Sequence, residues 1–240
     1  MKRFALFAVA ALALAGCSTP APPPVSDKVQ QALEAARTRA SESVTSKAVK
    51  VAFIGDSYTA GAGATHQHGW VKLLSVKNNW SSVNLGRGGT GYLKAIASGG
   101  VNACGAEVCP NYLTMADKAI ESKPDVVIVA GGRNDGAALT QDLASNVSAV
   151  FSKLRTGLPS AKIIALNPIW AAESPQPDSA AFGDAVRAGV TAAGGSFVSI
   201  GAPLEGHPEM ITKDNVHPND AGHQHLADVV GQALAGAKLP

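Results

Sequence analysis

Four short polar segments of this sequence carry the side chains that acyl transfer requires. They are Gly55-Asp56-Ser57, the glycine-rich stretch 86–91, Gly131-Gly132-Arg133-Asn134-Asp135 and Asp214-Asn215-Val216-His217. A serine hydroxyl is a weak nucleophile until a base removes its proton, and an imidazole can do this at neutral pH. A carboxylate on the other ring nitrogen holds the tautomer and stabilises the imidazolium. The residue types therefore predict Ser57 as nucleophile, His217 as general base and Asp214 as the carboxylate that orients it.

The same segments contain N–H donors for the negative charge that develops on the substrate oxygen. Such donors must already point at the oxyanion when the charge forms. The Ser57 backbone amide, a glycine amide from the stretch 86–91 and the Asn134 side-chain amide can supply them. Glycine suits the second position because it has no side chain to block the approach of the backbone. Asp56 is expected to make hydrogen bonds within its turn, and Asp135 is expected to help position its loop.

Alternating strand and helix patterns are predicted to position these segments. The apolar runs predict strands at 49–54, 82–85, 125–130, 161–166 and 196–200. Helical patterns separate them at 69–78, 111–122, 140–156, 179–193 and 219–235. Short apolar strands between helices indicate a parallel sheet covered on both faces, so we expect an α/β fold with three α/β/α layers and a five-stranded flavodoxin-like sheet. Ligands in such sheets bind beyond the carboxyl ends of the strands, where the first three polar segments fall.

In their order along the chain, the four segments resemble the four sequence blocks of the SGNH (GDSL) hydrolases. Taken alone, Ser57 could cap a helix and His217 could be a structural loop residue, but the four blocks together favour the catalytic interpretation. Members of this family are esterases, lipases, thioesterases and carbohydrate-ester deacetylases that use no metal and no organic cofactor. The resemblance therefore implies the SGNH fold and a cofactor-free serine esterase, with Ser57, Asp214 and His217 as its triad.

The resemblance also implies which glycine donates to the oxyanion. The second block of the family begins with an asparagine and places its glycine five residues later. Asn84 sets that register here and selects Gly89, while Gly86 and Gly88 remain alternatives. Tyr58 follows the serine where the family name has leucine, at a position that varies.

Two arginines lie inside the second and third segments, and two interpretations of them remain open. Arg87 and Arg133 are either solvated loop residues or cleft residues that favour an anionic substrate. The distinction bears on substrate charge and leaves the predicted triad unaffected.

Pairs of histidines raise the question of a metal site. His66 and His68 lie on a predicted loop, where they are either exposed or in contact with substrate. His223 and His225 are two residues apart on a predicted helix, so their side chains point away from each other and cannot hold one ion together. We therefore predict no metal site.

The first 47 residues are predicted to lie outside the catalytic domain. Lys2 and Arg3 precede an apolar run over 4–15, which is shorter than the roughly 20 residues that span a bilayer and typical of a secretion signal. The segment 14–17 resembles the bacterial lipobox, which implies cleavage before Cys17 and lipidation of its thiol. The predicted divisions are a lipoprotein signal peptide at 1–16, a Pro-rich linker and N-terminal helix at 17–47, and the hydrolase domain at 48–240.

This N-terminus predicts an exported protein held by its lipid at the outer face of the cell membrane or elsewhere in the envelope. An ordinary secretion signal with Cys17 incidental, or an uncleaved membrane helix, are the alternatives. Because Pro-rich stretches are extended and semi-rigid, the linker would hold the domain away from the membrane.

Cys104 and Cys109 are the cysteines that remain after Cys17. Four residues separate them, which allows a small loop to close, and disulfides persist in exported proteins. We therefore predict a Cys104–Cys109 disulfide that pins a surface loop, with two buried free thiols as the alternative.

Composition excludes some classes of function. Charged residues make up 16% of the chain and the formal net charge is +2, with no basic patch of the kind that nucleic-acid binding requires. We predict a monomer that acts on a small-molecule or envelope ester and contacts the membrane through its lipid anchor only. An acyltransferase with the same triad and a non-catalytic wall-binding lipoprotein are the other classes considered.

Overall fold

Five parallel strands form the sheet at the centre of the unit that spans Ala48–Pro240. The computed structural model describes residues 26–45, 48–136, 138–171, 179–237 and 239. The strands are β1 (Lys50–Gly55), β2 (Ser81–Asn84), β3 (Val126–Ala130), β4 (Lys162–Leu166) and β5 (Ser196–Val198). Their order across the sheet is β2-β1-β3-β4-β5, and every pair is parallel. This is the flavodoxin-like order.

Helices cover both faces of the sheet. In this unit the described α-helices are α2 (Ser57–Ala60), α3 (Trp70–Lys77), α4 (Val101–Cys104), α5 (Tyr112–Ser122), α6 (Gln141–Gly157), α7 (Ser179–Ala192) and α8 (Asp220–Ala235), while α1 (Asp27–Thr45) belongs to the unit Met1–Lys47. Successive strand side chains point to opposite faces, so Ala52 and Ile54 pack with α5, α6 and α7, whereas Val51 and Phe53 pack with α3 and α8. The predicted three-layer α/β fold is confirmed.

The fifth strand is shorter than the predicted range 196–200. β5 ends at Val198, and the Ile200 N–H donates to the side-chain oxygen of Asn167 at 2.7 Å instead of to a neighbouring strand. A side chain from the end of β4 therefore takes the place of the sheet ladder at this edge.

The unit Met1–Lys47 is described by its helix α1 alone. Its side chains Val29 and Leu33 are 48% and 53% exposed. The predicted signal peptide, Cys17 and the Pro-rich stretch lie outside the described residues. Within the described part of the chain, no helix is both long and apolar enough to cross a bilayer.

A disulfide closes the loop that connects β2 to α5. Cys104 and Cys109 are bonded, with their Cα atoms 6.0 Å apart. Cys109 also pairs with Ile96 through two backbone hydrogen bonds of 2.9 Å. Gly100 lies against this bond, since a β-carbon there would approach the Cys109 sulfur to 2.4 Å. The loop is thus held by covalent and backbone links at the same place.

Candidate active site

Ser57 is the first residue of α2, immediately beyond the carboxyl end of β1. Asp56 caps this short helix, because its carboxylate accepts the Tyr58 N–H at 3.0 Å. The Asp56 side chain is buried, and burial raises its pKa to about 6 although the N–H groups of Tyr58 and Gly132 oppose the shift. The residue before Ser57 therefore has a structural role, as the sequence indicated.

Tight packing beneath Ser57 fixes the direction of this turn. A β-carbon at Gly55 would lie 2.1 Å from the Thr59 hydroxyl oxygen and 2.2 Å from the Ala130 carbonyl oxygen. The Thr59 hydroxyl donates to that carbonyl at 2.9 Å. Because β1 and β3 are neighbours in the sheet, this bond ties α2 to the end of the adjacent strand β3.

Ser57, His217 and Asp214 form a hydrogen-bonded chain. The Ser57 Oγ lies 3.0 Å from the His217 Nε2, and the His217 Nδ1 lies 2.7 Å from the Asp214 Oδ2. Asp214 and His217 are three residues apart in one turn, in which Asn215 has a positive φ of 59°. Asparagine tolerates that conformation better than most residues do.

Several donors keep the Asp214 carboxylate ionised. Its Oδ1 accepts the Thr212 hydroxyl at 2.6 Å and the N–H groups of Val216 and His217 at 2.8 and 2.9 Å. The Thr212 hydroxyl first, and the His217 ring second, hold the pKa of Asp214 well below its usual range. The second oxygen is left to the imidazole, which favours a proton on Nδ1 and a lone pair on Nε2 facing Ser57.

The glycines of the second loop differ in whether their backbone N–H groups have partners. The Gly86 N–H already donates to the Asn84 side chain at 2.9 Å, which argues against Gly86 as an oxyanion donor. Gly89 has a φ of +74°, and the N–H groups of Gly88 and Gly89 meet no acceptor among the described residues. Gly88 is pressed against the Ala103 carbonyl, which a β-carbon would approach to 1.8 Å.

Asn134 reaches this loop from the end of β3. It lies in a 3₁₀ turn over Arg133–Asp135, and its side-chain amide donates one hydrogen to the Thr90 carbonyl at 2.9 Å. An amide carries two N–H hydrogens, so the second stays available to a substrate. The turn thus joins the second and third polar segments.

Asp135 makes a larger contribution to this junction than the sequence indicated. Its carboxylate accepts the N–H groups of Tyr92, Leu93 and Lys94 at 2.7, 3.0 and 2.7 Å. Burial raises the pKa of Asp135, and these three N–H groups oppose the shift. The sequence signal was an acidic residue beside Asn134, but the N–H groups that donate to it lie more than 40 positions away along the chain.

The two arginines differ in their surroundings. Arg87 is half-buried and donates to the Gly86 carbonyl at 2.8 Å. The guanidinium carbon of Arg133 lies 6.0 Å from the ring centres of both Tyr58 and Trp170, at the distance where a cation attracts an aromatic face. Of the two, Arg133 is the one placed beside Tyr58, the residue that follows Ser57.

Two of the histidines considered for a metal site, His66 and His68, lie at the surface. His66 is exposed, and His68 contacts the Thr65 carbonyl at 2.8 Å and lies 3.8 Å from Asp220. Both belong to an exposed loop between α2 and α3. Within the described residues, no cluster of three or more His, Cys, Asp or Glu side chains is arranged to hold a metal ion.

Comparisons with known proteins agree with the fold and the polar segments. Residues 53–225 match the model of the GDSL-like Lipase/Acylhydrolase family. Over 201 residues the chain is 31% identical to the GDSL lipase Rv0518 of Mycobacterium tuberculosis (strain ATCC 25618 / H37Rv), an alignment that covers 77% of this chain and 81% of that protein. These matches and the fold define a carboxylic ester hydrolase. The chain belongs to the GDSL-like lipase/acylhydrolase family, and the resemblance to SGNH hydrolases is confirmed.

Solved structures share the architecture at low sequence identity. The psychrotrophic esterase EstA from Pseudoalteromonas sp. is 18% identical, with a TM-score of 0.61 over 78% of this chain and 97% of that one. A family two carbohydrate esterase from Clostridium thermocellum is 18% identical, with a TM-score of 0.59 over 79% of this chain and 64% of that one. These similarities support the fold.

Proposed function

We propose that the protein hydrolyses carboxylic esters through an acyl-enzyme on Ser57. The observation that carries the proposal is the hydrogen-bonded chain from Asp214 through His217 to Ser57, with distances of 2.7 and 3.0 Å. Ser57 and His217 are 160 residues apart in sequence. An imidazole with a carboxylate on one nitrogen and a serine hydroxyl on the other is the arrangement that activates serine.

The two half-reactions use the same three side chains. The Ser57 Oγ attacks the ester carbonyl carbon while the His217 Nε2 takes the hydroxyl proton. The tetrahedral intermediate then expels the alcohol, which leaves with that proton, and the acyl group stays on Ser57. Water attacks the acyl carbon in turn and gives a proton to His217. The second tetrahedral intermediate then breaks the bond to the Ser57 Oγ, which takes that proton back from His217, and the carboxylic acid is released. Asp214 remains ionised throughout and stabilises the imidazolium.

Three N–H donors are proposed to stabilise the oxyanion. They are the Ser57 backbone amide, the Gly89 backbone amide and the free hydrogen of the Asn134 side chain. The hydrogen bond from Asn134 to the Thr90 carbonyl fixes the amide before substrate arrives, so no reorganisation is needed when the charge develops.

The proposed substrates are short-chain esters or esters displayed on envelope carbohydrate or lipid. The side chains of His217 and Asp214 are 27% and 49% exposed, which suits an ester presented on a larger molecule. A cavity of about 250 Å³ lined in part by Trp170, Arg187 and Phe197 lies at the ends of β4 and β5. Trp170 also lies beside Arg133, so this cavity offers room for the part of a substrate beyond its ester.

The proposed location is the cell envelope, through a lipid on Cys17. Mass spectrometry of membrane-extracted protein is expected to find the chain beginning at a lipidated Cys17. A free Cys17 thiol or an unprocessed N-terminus would refute this part of the proposal.

Covalent trapping tests the nucleophile directly. An organophosphonate ester is expected to add one phosphonyl group per protein, and peptide mapping is expected to find it on Ser57. Ser57→Ala should stay unlabelled, whereas a variant at an exposed serine, Ser160→Ala, should label as wild type does. Label on another residue would contradict the assignment.

A further inference from the structure

His223 is a fully buried histidine that the ester-cleaving reaction does not use. It lies in the first turn of α8, where its Nδ1 accepts the Trp70 N–H at 3.3 Å. Its Nε2 lies 3.0 Å from the Ala62 carbonyl oxygen. Because Nδ1 is an acceptor, the ring proton is on Nε2, which donates to that carbonyl. We call these two hydrogen bonds the His223 bridge, and they require a neutral imidazole in one tautomer.

One end of the His223 bridge leads to the nucleophile. Ala62 follows the helix α2, and its N–H donates to the carbonyl of Ser57 at 2.9 Å. The carbonyl of the same residue accepts from His223. A single residue thus connects the backbone of Ser57 to the buried ring.

The buried ring itself lies on the helix that follows the base. That helix begins at Asp220, and only its cap residue Asn219 separates it from the segment His217-Pro218. Gly63 packs on that segment: a β-carbon there would lie 2.2 Å from the Pro218 carbonyl oxygen and 3.0 Å from the His217 Cβ. Since nothing larger than glycine fits between the two segments, a shift of one is passed to the other.

We propose that His223 is a positioning residue that holds the segment after Ser57 against the segment that carries His217, and thereby sets the distance between the hydroxyl and the imidazole. The inference rests on the proposed function, because it assumes that His217 acts on Ser57. A protonated His223 has no acceptor at Nδ1, so it would lose the bond from Trp70 and bury a charge.

The surroundings of His223 favour the neutral ring. Burial lowers its pKa, and the charge of His217 lowers it further, while Asp220 and the bond to the Ala62 carbonyl oppose the shift. Asp220 lies on the same helix as His223. The His68 Nδ1, from the opposite loop, lies 3.8 Å from the Asp220 Oδ2. In the unfolded chain a histidine titrates near pH 6.5. The bridge therefore contributes fully to the free energy of unfolding above that pH, and this contribution declines as the pH falls below it.

Two substitutions separate the hydrogen bonds from the packing. His223→Leu fills the site without any hydrogen bond, and His223→Gln keeps a donor and an acceptor but cannot become charged. His225→Leu is the matched control, because His225 is half-buried two residues later on the same helix. For each full-length protein, kcat and KM for a short-chain aryl ester and the Tm between pH 5 and pH 8 would be measured, beside wild type and Ser57→Ala.

His223→Leu is expected to lose kcat by about 10-fold to 100-fold with KM changed less than about threefold, since small misplacements of reacting groups have effects of this size. His223→Gln should recover most of that loss, and His225→Leu should match wild type. Wild type and His225→Leu should also lose Tm between pH 7 and pH 5 more steeply than His223→Gln.

Each failure has a separate meaning. A folded His223→Leu with wild-type kcat would overturn the positioning role. If that variant does not fold, parallel decreases in Tm for wild type and His223→Gln would overturn the neutral bridge. If wild type cleaves no ester, the proposed function fails, and the comparison of Tm values still decides whether the His223 bridge exists.

Discussion

Gly91 has no room for a side chain because of Asp135. A β-carbon at Gly91 would lie 2.1 Å from the Asp135 Oδ2, and the same carboxylate accepts three successive N–H groups at 92–94. The Asp135 carboxylate, in the loop after β3, therefore holds the loop after β2 through three backbone hydrogen bonds. Since these loops carry Asn134 and Gly89, Asp135 is in a position to determine how two proposed oxyanion donors face each other.

Replacing Asp135 by asparagine should lower kcat more than it changes KM. The new amide group would turn N–H hydrogens toward the backbone N–H donors, so at least one of the three hydrogen bonds is lost. We expect kcat to fall by about 10-fold, because small misplacements of reacting groups are costly. Steady-state kinetics on an aryl ester measures the effect. Asp142→Asn, at an exposed residue, is the matched control. An unchanged kcat in Asp135→Asn would show that Asp135 does not position the proposed oxyanion donors.

Gly89→Ala should impair catalysis, and Gly99→Ala should not. Both glycines have positive φ, of 74° and 69°, so both substitutions strain the backbone. Only at Gly89 would the added carbon meet a neighbour, the Ile96 Cδ1 at 2.7 Å, whereas nothing lies within 4 Å of it at Gly99. Loss of an oxyanion donor costs on the order of 10²-fold to 10³-fold in kcat, and displacement of the Gly89 amide should approach that range. Equal kinetics for the two variants would argue for another donor, with Gly88 as the next candidate.

Asp56 should make the folded protein less stable as the pH rises. Its pKa is raised from 3.8 to about 6 by burial, so the folded state binds a proton between these values that the unfolded state has already released. Stability is therefore greatest below 3.8 and decreases as the pH rises through 6. The difference corresponds to about 3 kcal/mol.

Asp56→Asn tests this effect because asparagine can keep the helix cap and cannot ionise. The unfolding free energy from urea titration is expected to rise for the variant relative to wild type by up to about 3 kcal/mol between pH 4 and pH 8. Contributions from His223 are common to both proteins and cancel in the difference. A difference that does not vary with pH would show that Asp56 is ionised without penalty.

Much of the fold could be predicted because its elements are locally encoded. A run such as Val126–Ala130 is apolar throughout, as a strand buried on both faces must be, and the polar residues after each strand fall at one edge of the sheet. The four-residue helix α2 is too short to show a helical period, and its formation depends on the cap from Asp56. The early end of β5 likewise depends on Asn167, a side chain from another strand's end.

The candidate site likewise contains residues that could be predicted from the sequence and residues that could not. Ser57, Asp214 and His217 could be predicted as a candidate triad because acyl transfer restricts the residue types and the order of the blocks is specific. The contributions of Asp135 and His223 could not, because each arises from contacts between segments far apart in sequence, such as the 161 positions between Ala62 and His223. Composition and periodicity carry no information on such pairings.

Hydrolysis of a short-chain aryl ester by the full-length protein, with wild type beside Ser57→Ala and the exposed-serine control Ser160→Ala, tests the central claim most directly. Wild type and Ser160→Ala are expected to be active, and Ser57→Ala is expected to lose activity by a factor on the order of 10⁴ or more. Comparable hydrolysis by Ser57→Ala, or no hydrolysis by wild type, would contradict the assignment of Ser57 as the nucleophile of an esterase.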